Sequence, residues 1–211
     1  LMINNKFDIH KDIEKLLDYF IENDKVPHLL FHGDYGSGKK TLANNFLDKF
    51  YKKSIDETMD NKSNYIMKVD CAHGKGIKFV REDIKFFAKT NINCKNGLFK
   101  TIMLLNADQL TIDAQSALRR CIEIFSKSTR FILIIQNKDK ILKPILSRFC
   151  EIYVKLPIFD NININLHKHL INTKNYTYEN HNNTILSNIH KIFNNENKKF
   201  LENNIKFIIF N

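Results

Sequence analysis

Apolar positions along this chain switch between helical spacing and short continuous runs. In residues 9–21, six apolar side chains recur every three or four residues and predict a helix with one apolar face. Apolar runs predict strands at 26–33, 64–70, 100–107, 130–136 and 150–156. Helical spacing between these runs predicts helices at 39–51, 77–88 and 112–125. Strands that alternate with helices predict an α/β fold, a doubly wound parallel sheet that binds its ligand at the carboxyl ends of the strands.

The composition changes after Pro157. Residues 158–211 contain no Gly, Pro or Arg, are rich in Asn, Lys and Ile, and carry apolar residues at helical spacing. We therefore expect two domains, an α/β domain over residues 1–157 and a small helical domain over residues 158–211.

The stretch FHGDYGSGKKTL, residues 31–42, lies between a predicted strand and a predicted helix, as a phosphate-binding loop does. Gly33, Gly38 and Lys39 fit the pattern G-x-x-x-x-G-K-[ST]. Lys40 stands where the pattern has a hydroxyl, and Thr41 comes one residue late. A purely structural glycine turn is the alternative, but the context favours a cradle of backbone N–H groups for phosphates. The residues expected to contact a nucleotide here are Gly33, Gly36, Ser37, Gly38, Lys39, Lys40 and Thr41.

Hydrolysis requires a magnesium ion, which an acidic residue at the end of a later apolar strand normally helps to hold. That strand ends here in LLNADQL, with Leu105 and Asn106 where an Asp–Glu pair would stand. Asp108 lies beyond this position and is expected near the amino end of the helix at 112–125. Lys40 would also place a cation near the metal. We therefore expect ATP or ADP to bind with weak or absent Mg²⁺ and little turnover.

Charge adds a candidate surface. The chain carries 33 basic and 23 acidic residues, a net charge of +10, which favours a polyanionic partner. Four cationic residues recur along the predicted helix at 77–88 and its end, namely Lys78, Arg81, Lys85 and Lys89. A basic stripe of this pitch can follow a DNA backbone, although Glu82 and Asp83 leave a merely solvated face as the alternative.

The remaining composition limits the class of protein. Four irregularly spaced cysteines form no zinc pattern and indicate a reducing, intracellular compartment. No run of 18 apolar residues predicts a membrane span. The chain has only five arginines against 28 lysines, so each arginine is a candidate for a contact that needs a planar guanidinium.

Three stretches resemble the AAA+ small subunits of the replication factor C clamp loader: PHLLFHGDYGSGKKTL, GIKFVREDIKFFAKT and LTIDAQSALRRCIEIFSKSTRFILIIQNKDKILKPILSRF. The resemblance covers residues 26–157 and continues weakly beyond them. The G-K-K-T loop and the strand without acids are most similar to the clamp-loader subunit whose own ATP site is catalytically idle. The resemblance implies a P-loop AAA+ sheet flanked by helices, then a small all-helical lid domain. It further implies a hetero-oligomer of AAA+ subunits that loads a sliding clamp onto primer–template DNA.

The resemblance also assigns roles to single residues. Ser147–Arg148 lie where the family has its Ser-Arg-Cys motif, so Arg148 would be an arginine finger that acts on a neighbouring subunit's ATP. A surface salt bridge is the alternative for Arg148. Gln136 occupies the position of the polar sensor, and Lys198 that of the lid sensor. The basic stripe lies on the helix that the family uses to track DNA.

Two rival functions share the loop. A self-sufficient AAA+ motor ATPase, such as a helicase or helicase loader, would require an acid at position 105 or 106. A small-molecule nucleotide kinase would require further arginines in its lid, and residues 149–211 contain none. The chain is also too short for the collar domain of clamp-loader subunits, so we expect either a fragment or a different assembly. The resemblance implies a nuclear location, or a viral replication site for a viral protein.

Overall fold

A computed structural model of the chain describes residues 9–54, 64–72, 76–90, 98–159 and 162–168. The chain divides into two compact units, Leu1–Leu166 and His167–Asn211. The main sheet and the helices around it lie in the first unit.

Five parallel strands form the main sheet, which confirms the predicted parallel architecture. They are β1 (Leu29–His32), β2 (Ile66–Asp70), β3 (Lys100–Leu105), β4 (Thr129–Ile134) and β5 (Cys150–Tyr153). Their order across the sheet is β2-β3-β4-β1-β5. The carboxyl ends of β1, β3 and β4 therefore open onto the same edge, and the predicted loop follows β1 at this edge.

The helices cover both faces of the sheet. They are α1 (Lys11–Glu22), α2 (Lys39–Ser54), α3 (Ile77–Phe79), α4 (Lys85–Lys89), α5 (Ile112–Phe125) and α6 (Lys143–Leu146). A π-helical turn, Val80–Ile84, joins α3 to α4 in one continuous helix. This turn departs from the predicted uniform helix at 77–88. Because a π-helical turn is wider than an α-helical one, it shifts the residues after it around the helix axis.

Two apolar clusters, one on each face of the sheet, form the core. Residues of α1 and α2 pack on one face and residues of α5 and of the 77–89 helix on the other. Within β1, Leu29 and Phe31 belong to the first cluster and Leu30 to the second, and all three are fully buried. Burial on both faces explains why the strands read as continuous apolar runs rather than alternating ones.

His28, just before β1, fixes the amino edge of the sheet. Its Nδ1 accepts a hydrogen bond of 3.1 Å from the Phe131 N–H, and its ring lies against the rings of Phe131 and Phe149. Burial, with a smaller contribution from the charge of Arg130, lowers its pKa from 6.5 to about 4. His28 is therefore neutral at pH 7.

The residues just after Pro157 are strands, although the composition predicts a helical domain over 158–211, and the described residues 166–168 are helical. β6 (Ile158–Phe159) and β7 (Ile162–Asn163) pair antiparallel as a short hairpin. The sequence of this stretch, IFDNININ, alternates Ile with Asn, which is a strand period, and Asp-Asn is typical of a turn. Residues 169–211, which include most of the predicted lid helices, lie outside the described residues.

Within the described part of the chain, no helix has the length and apolar character that a membrane span requires. Among the described residues, Cys71, Cys121 and Cys150 form no disulfide with one another.

Candidate nucleotide-binding site

The loop between β1 and α2 has the backbone of an anion cradle. Gly33, Gly36 and Gly38 all have positive φ, at 139°, 80° and 98°. A Cβ at Gly33 would clash with the Val154 carbonyl, and one at Gly36 would clash with the side chain of Asn165. Glycine is required at both positions, because an added side chain would have neither the conformation nor the space. The loop delivers the chain directly into the amino end of α2, where unpaired N–H groups favour anions.

Lys39 already lies inside this loop. Its Nζ donates to the carbonyls of Gly33 and Asp34, each at 2.7 Å, and only 7% of the residue is exposed. Burial lowers the pKa of the Lys39 ammonium, and the charges of Asp34 and Asp108 oppose that shift. The buried Ser37 places its Oγ 3.4 Å from the same Nζ. The loop thus holds a preorganised cation where phosphates would bind.

Three contacts that the sequence analysis missed support the loop from outside. The Asn165 side-chain amide donates to the Tyr35 carbonyl at 2.8 Å, and the Leu166 N–H donates to the Gly36 carbonyl at 2.9 Å. His10 Nε2 lies 2.8 Å from the Ser37 carbonyl oxygen. These residues come from before α1 and after β7, far away in sequence, so no local pattern could have indicated them.

The place of the missing metal ligands is filled by other contacts. Lys40 and Thr41 are exposed on the first turn of α2. Asn106, just after β3, has a left-handed φ of 52°, and its Nδ2 donates to the Asp70 Oδ1 at 2.8 Å. Asn tolerates this backbone conformation better than most residues. Among the described residues, no group of three His, Cys, Asp or Glu side chains could hold a metal ion.

The sequence predicts Asp108 near the amino end of α5, but its side chain does not cap that helix. Thr111 caps that helix by accepting the Ala114 N–H. Asp108 is buried after β3, and its Oδ2 accepts from the N–H groups of Gln136 and Asn137, at 3.4 and 3.2 Å. The sequence pattern around Asp108 could not indicate this place, because the partners lie just after β4, about 28 residues further along the chain. Gln136 is exposed at the same edge of the sheet.

Arg148 follows α6 at the surface. Its Nη2 donates to Glu123 Oε1 at 2.7 Å, and the same oxygen accepts from Arg119 Nε at 3.0 Å. Arg148 and Glu123 each keep about a third of their side chain exposed, at 32% and 31%. The hydrogen bond from Arg119 lowers the pKa of Glu123, and the charges of Arg119, Arg148 and Arg120 contribute. The surface salt bridge, which was the alternative role for Arg148, is therefore present between Arg148 and Glu123, and both side chains remain partly exposed.

The basic stripe is exposed along its whole length at Lys78, Arg81, Lys85 and Lys89. Arg81 and Lys85 line a groove beside α5, and the outer pair of the stripe, Lys78 and Lys89, does not line it. Lys198, the predicted lid sensor, lies outside the described residues.

Comparison with known proteins agrees with this fold. Residues 9–157 match the family described as DNA polymerase III, delta subunit. The replication factor C small subunit of Sulfurisphaera tokodaii is 38% identical over 138 residues, which are 65% of this chain and 40% of the relative. Replication factor C subunit 3 of Schizosaccharomyces pombe is 40% identical over 139 residues, 66% of this chain and 38% of the relative. The chain thus spans about two fifths of the length of these relatives.

Two solved structures from Thermotoga maritima share the fold. A DNA polymerase III gamma subunit-related protein has a TM-score of 0.55 at 19% identity, covering 68% of this chain and 46% of its own. A RuvB variant has a TM-score of 0.52 at 16% identity, covering 71% of this chain and 46% of its own.

Proposed function

Because this chain belongs to the clamp-loader family of DNA polymerase III delta subunits and replication factor C small subunits, we propose that it is a nucleotide-binding, hydrolysis-poor subunit of a DNA clamp loader. In this proposal it binds ATP or ADP and assembles with other AAA+ subunits. Together they place a sliding clamp on primer–template DNA, in the nucleus or at a viral replication site.

Nucleotide binding is supported by the single observation that carries the proposal, the buried Lys39 ammonium inside a loop of three left-handed glycines. Phosphates that entered the loop would meet this cation and the N–H groups at the start of α2. Gly36, Ser37 and Gly38 shape the cradle, while Lys40 and Thr41 lie at its solvent side.

Weak hydrolysis is supported by the residues around the expected metal position. A magnesium ion would polarise the γ-phosphate and neutralise charge that develops on it. Lys40 replaces the hydroxyl that would contact the ion, and Leu105 and Asn106 replace the acids. The Asn106 amide is, moreover, bonded to Asp70. These residues do not fit a magnesium site, so we assign this chain no hydrolysis step that depends on a bound magnesium ion.

We propose that Arg148 acts instead on the nucleotide of a neighbouring subunit. Ion pairs at the protein surface contribute little to stability, so Arg148 can exchange Glu123 for a phosphate without a large cost. Arg119 would remain on Glu123 and keep that carboxylate paired. The DNA backbone would be contacted by the basic stripe on the 77–89 helix, namely Lys78, Arg81, Lys85 and Lys89.

The experiment has two stages. Affinity purification of the tagged chain with mass spectrometry identifies co-purifying subunits, which we expect to include other AAA+ proteins and a sliding clamp. Arg148→Ala is then compared with Arg119→Ala, which removes the other guanidinium on Glu123. We expect Arg148→Ala to leave the chain's own nucleotide affinity unchanged and to lower hydrolysis at the neighbouring site that it contacts by about 10³-fold, as loss of an arginine finger does. The ATPase of the assembled complex should fall by the share of that site.

Normal turnover by the Arg148→Ala complex would refute the finger. An Arg119→Ala complex that loses as much activity would show that the whole cluster, and not Arg148, is responsible. Rapid ATP hydrolysis by the isolated wild-type chain would favour a self-sufficient motor ATPase instead.

A further inference from the structure

A groove of about 500 Å³ lies between the 77–89 helix and α5, which cover the face of the sheet opposite α1 and α2. Its more buried lining is apolar and includes Ala117, Cys121 and Phe125. Ile124 also lines the groove and is 55% exposed. The groove is therefore both open to solvent and lined by surface that favours burial.

Cations surround this apolar surface. Arg81, Lys85 and Arg120 all line the groove and are exposed, and Asp113 is the one carboxylate among its lining residues. In the described part of the chain, no ion pair or side-chain hydrogen bond involves any of the three cations. By contrast, Arg119 and Arg148 are paired with Glu123, and Arg130 donates to the Val26 carbonyl. The two arginines without such a partner are the two that face the groove.

We propose that the groove binds an acidic peptide segment of a protein partner, which inserts a large apolar side chain between the two helices. The three cations attract its carboxylates, and guanidinium groups bind carboxylates in bidentate geometry. Nucleic acid fits less well, because phosphates would pair with the cations but leave the apolar lining in contact with water. Apolar contact with a peptide removes that surface from water at about 25 cal/mol per Å².

This site does not depend on nucleotide binding or on Arg148, but it shares two cations with the proposed DNA surface. Arg81 and Lys85 cannot pair with a carboxylate and a DNA phosphate at the same time. An acidic peptide in the groove would therefore compete with DNA for this helix.

The test is a selection of displayed random dodecapeptides on the immobilised full chain, followed by fluorescence anisotropy with the enriched peptides. We expect enriched sequences to carry Asp and Glu around a large apolar residue. Arg120→Gln and Ile124→Ser should each weaken their binding at least tenfold. The matched controls on the same helix, Arg119→Gln and the 69% exposed Ile112→Ser, should change it less than twofold.

All of these variants alter exposed side chains and are expected to fold, which circular dichroism checks. No enrichment, a basic consensus, or equal effects of Arg120→Gln and Arg119→Gln would overturn the proposal. A duplex DNA probe provides the other arm. If Ile124→Ser weakens DNA binding as strongly as it weakens peptide binding, the groove is a nucleic-acid surface and the peptide proposal fails. If DNA displaces the peptide while Ile124→Ser leaves DNA binding intact, the proposal is supported.

Discussion

Acidification should destabilise the folded chain through His28. The ring is half-buried against Phe131 and Phe149, and its Nδ1 already accepts the Phe131 N–H, so a proton on this nitrogen would break that bond. Burial and the nearby charge of Arg130 lower the pKa of His28 to about 4 in the folded chain, against 6.5 when exposed.

The sign follows from proton binding. Between these two pKa values the unfolded chain binds a proton at this site and the folded chain does not, so the free energy of unfolding falls as pH falls. The contribution is fully present above pH 6.5, is lost on the way to pH 4, and changes no further below that. A difference of this size corresponds to about 3 kcal/mol in total, of which about 2 kcal/mol is lost between pH 7 and pH 5.

The assay is urea unfolding followed by circular dichroism at pH 7, 6 and 5, with linear extrapolation to water. His28→Asn is the matched variant, because the Asn amide oxygen can accept the same N–H but does not titrate. Carboxylates and other histidines change both proteins alike, so the difference between the two curves isolates His28. We expect the wild-type chain to lose about 2 kcal/mol more than the variant between pH 7 and pH 5.

Parallel curves for the wild type and the variant would show that the buried ring does not control stability in this range. An NMR titration of the His28 ring with a midpoint near 6.5 would refute the reasoning at its source.

Two further predictions concern the loop and the missing acid. Lys39→Met should weaken binding of an ATP analogue about 10- to 100-fold in calorimetry, as loss of charge-assisted hydrogen bonds does. The control Lys40→Met, at the exposed neighbouring residue, should change the affinity about threefold at most. Equal losses in the two variants would refute a special role for Lys39. Asn106→Asp should not create ATP turnover in a phosphate-release assay, because it would place two carboxylates in contact at Asp70, where they repel and raise each other's pKa. Steady turnover by that variant would show that one acid is enough.

The sequence predicted what depends on local patterns. The apolar runs identified the five strands of the parallel sheet, and helical spacing identified α5 with its observed limits, Ile112–Phe125. The glycine pattern placed Lys39 in a loop at the carboxyl edge because that motif encodes its own backbone geometry.

Other features depend on packing that no local pattern records. The partners of Asp108 lie in the segment just after β4, and those of the loop carbonyls are His10 and Asn165. The π-helical turn at Val80–Ile84 was missed because its apolar residues, Val80 and Ile84, keep the i, i+4 spacing of an ordinary helix.

The contrast between Lys39 and Asn106 shows how the proposed nucleotide binding could occur without hydrolysis. The cradle requires glycine conformations and an ammonium that the loop's own carbonyls hold, and these remain without any acid. Hydrolysis depends on carboxylates at a different strand, so their loss need not disturb the cradle. Asn106 is bonded to Asp70 and Asp108 to the segment after β4, so both positions at the end of β3 now serve to connect neighbouring strands. If the proposed function holds, such a subunit would bind nucleotide without hydrolysing it, and Arg148, which lies after α6 and outside the loop, would not be constrained by the chain's own site.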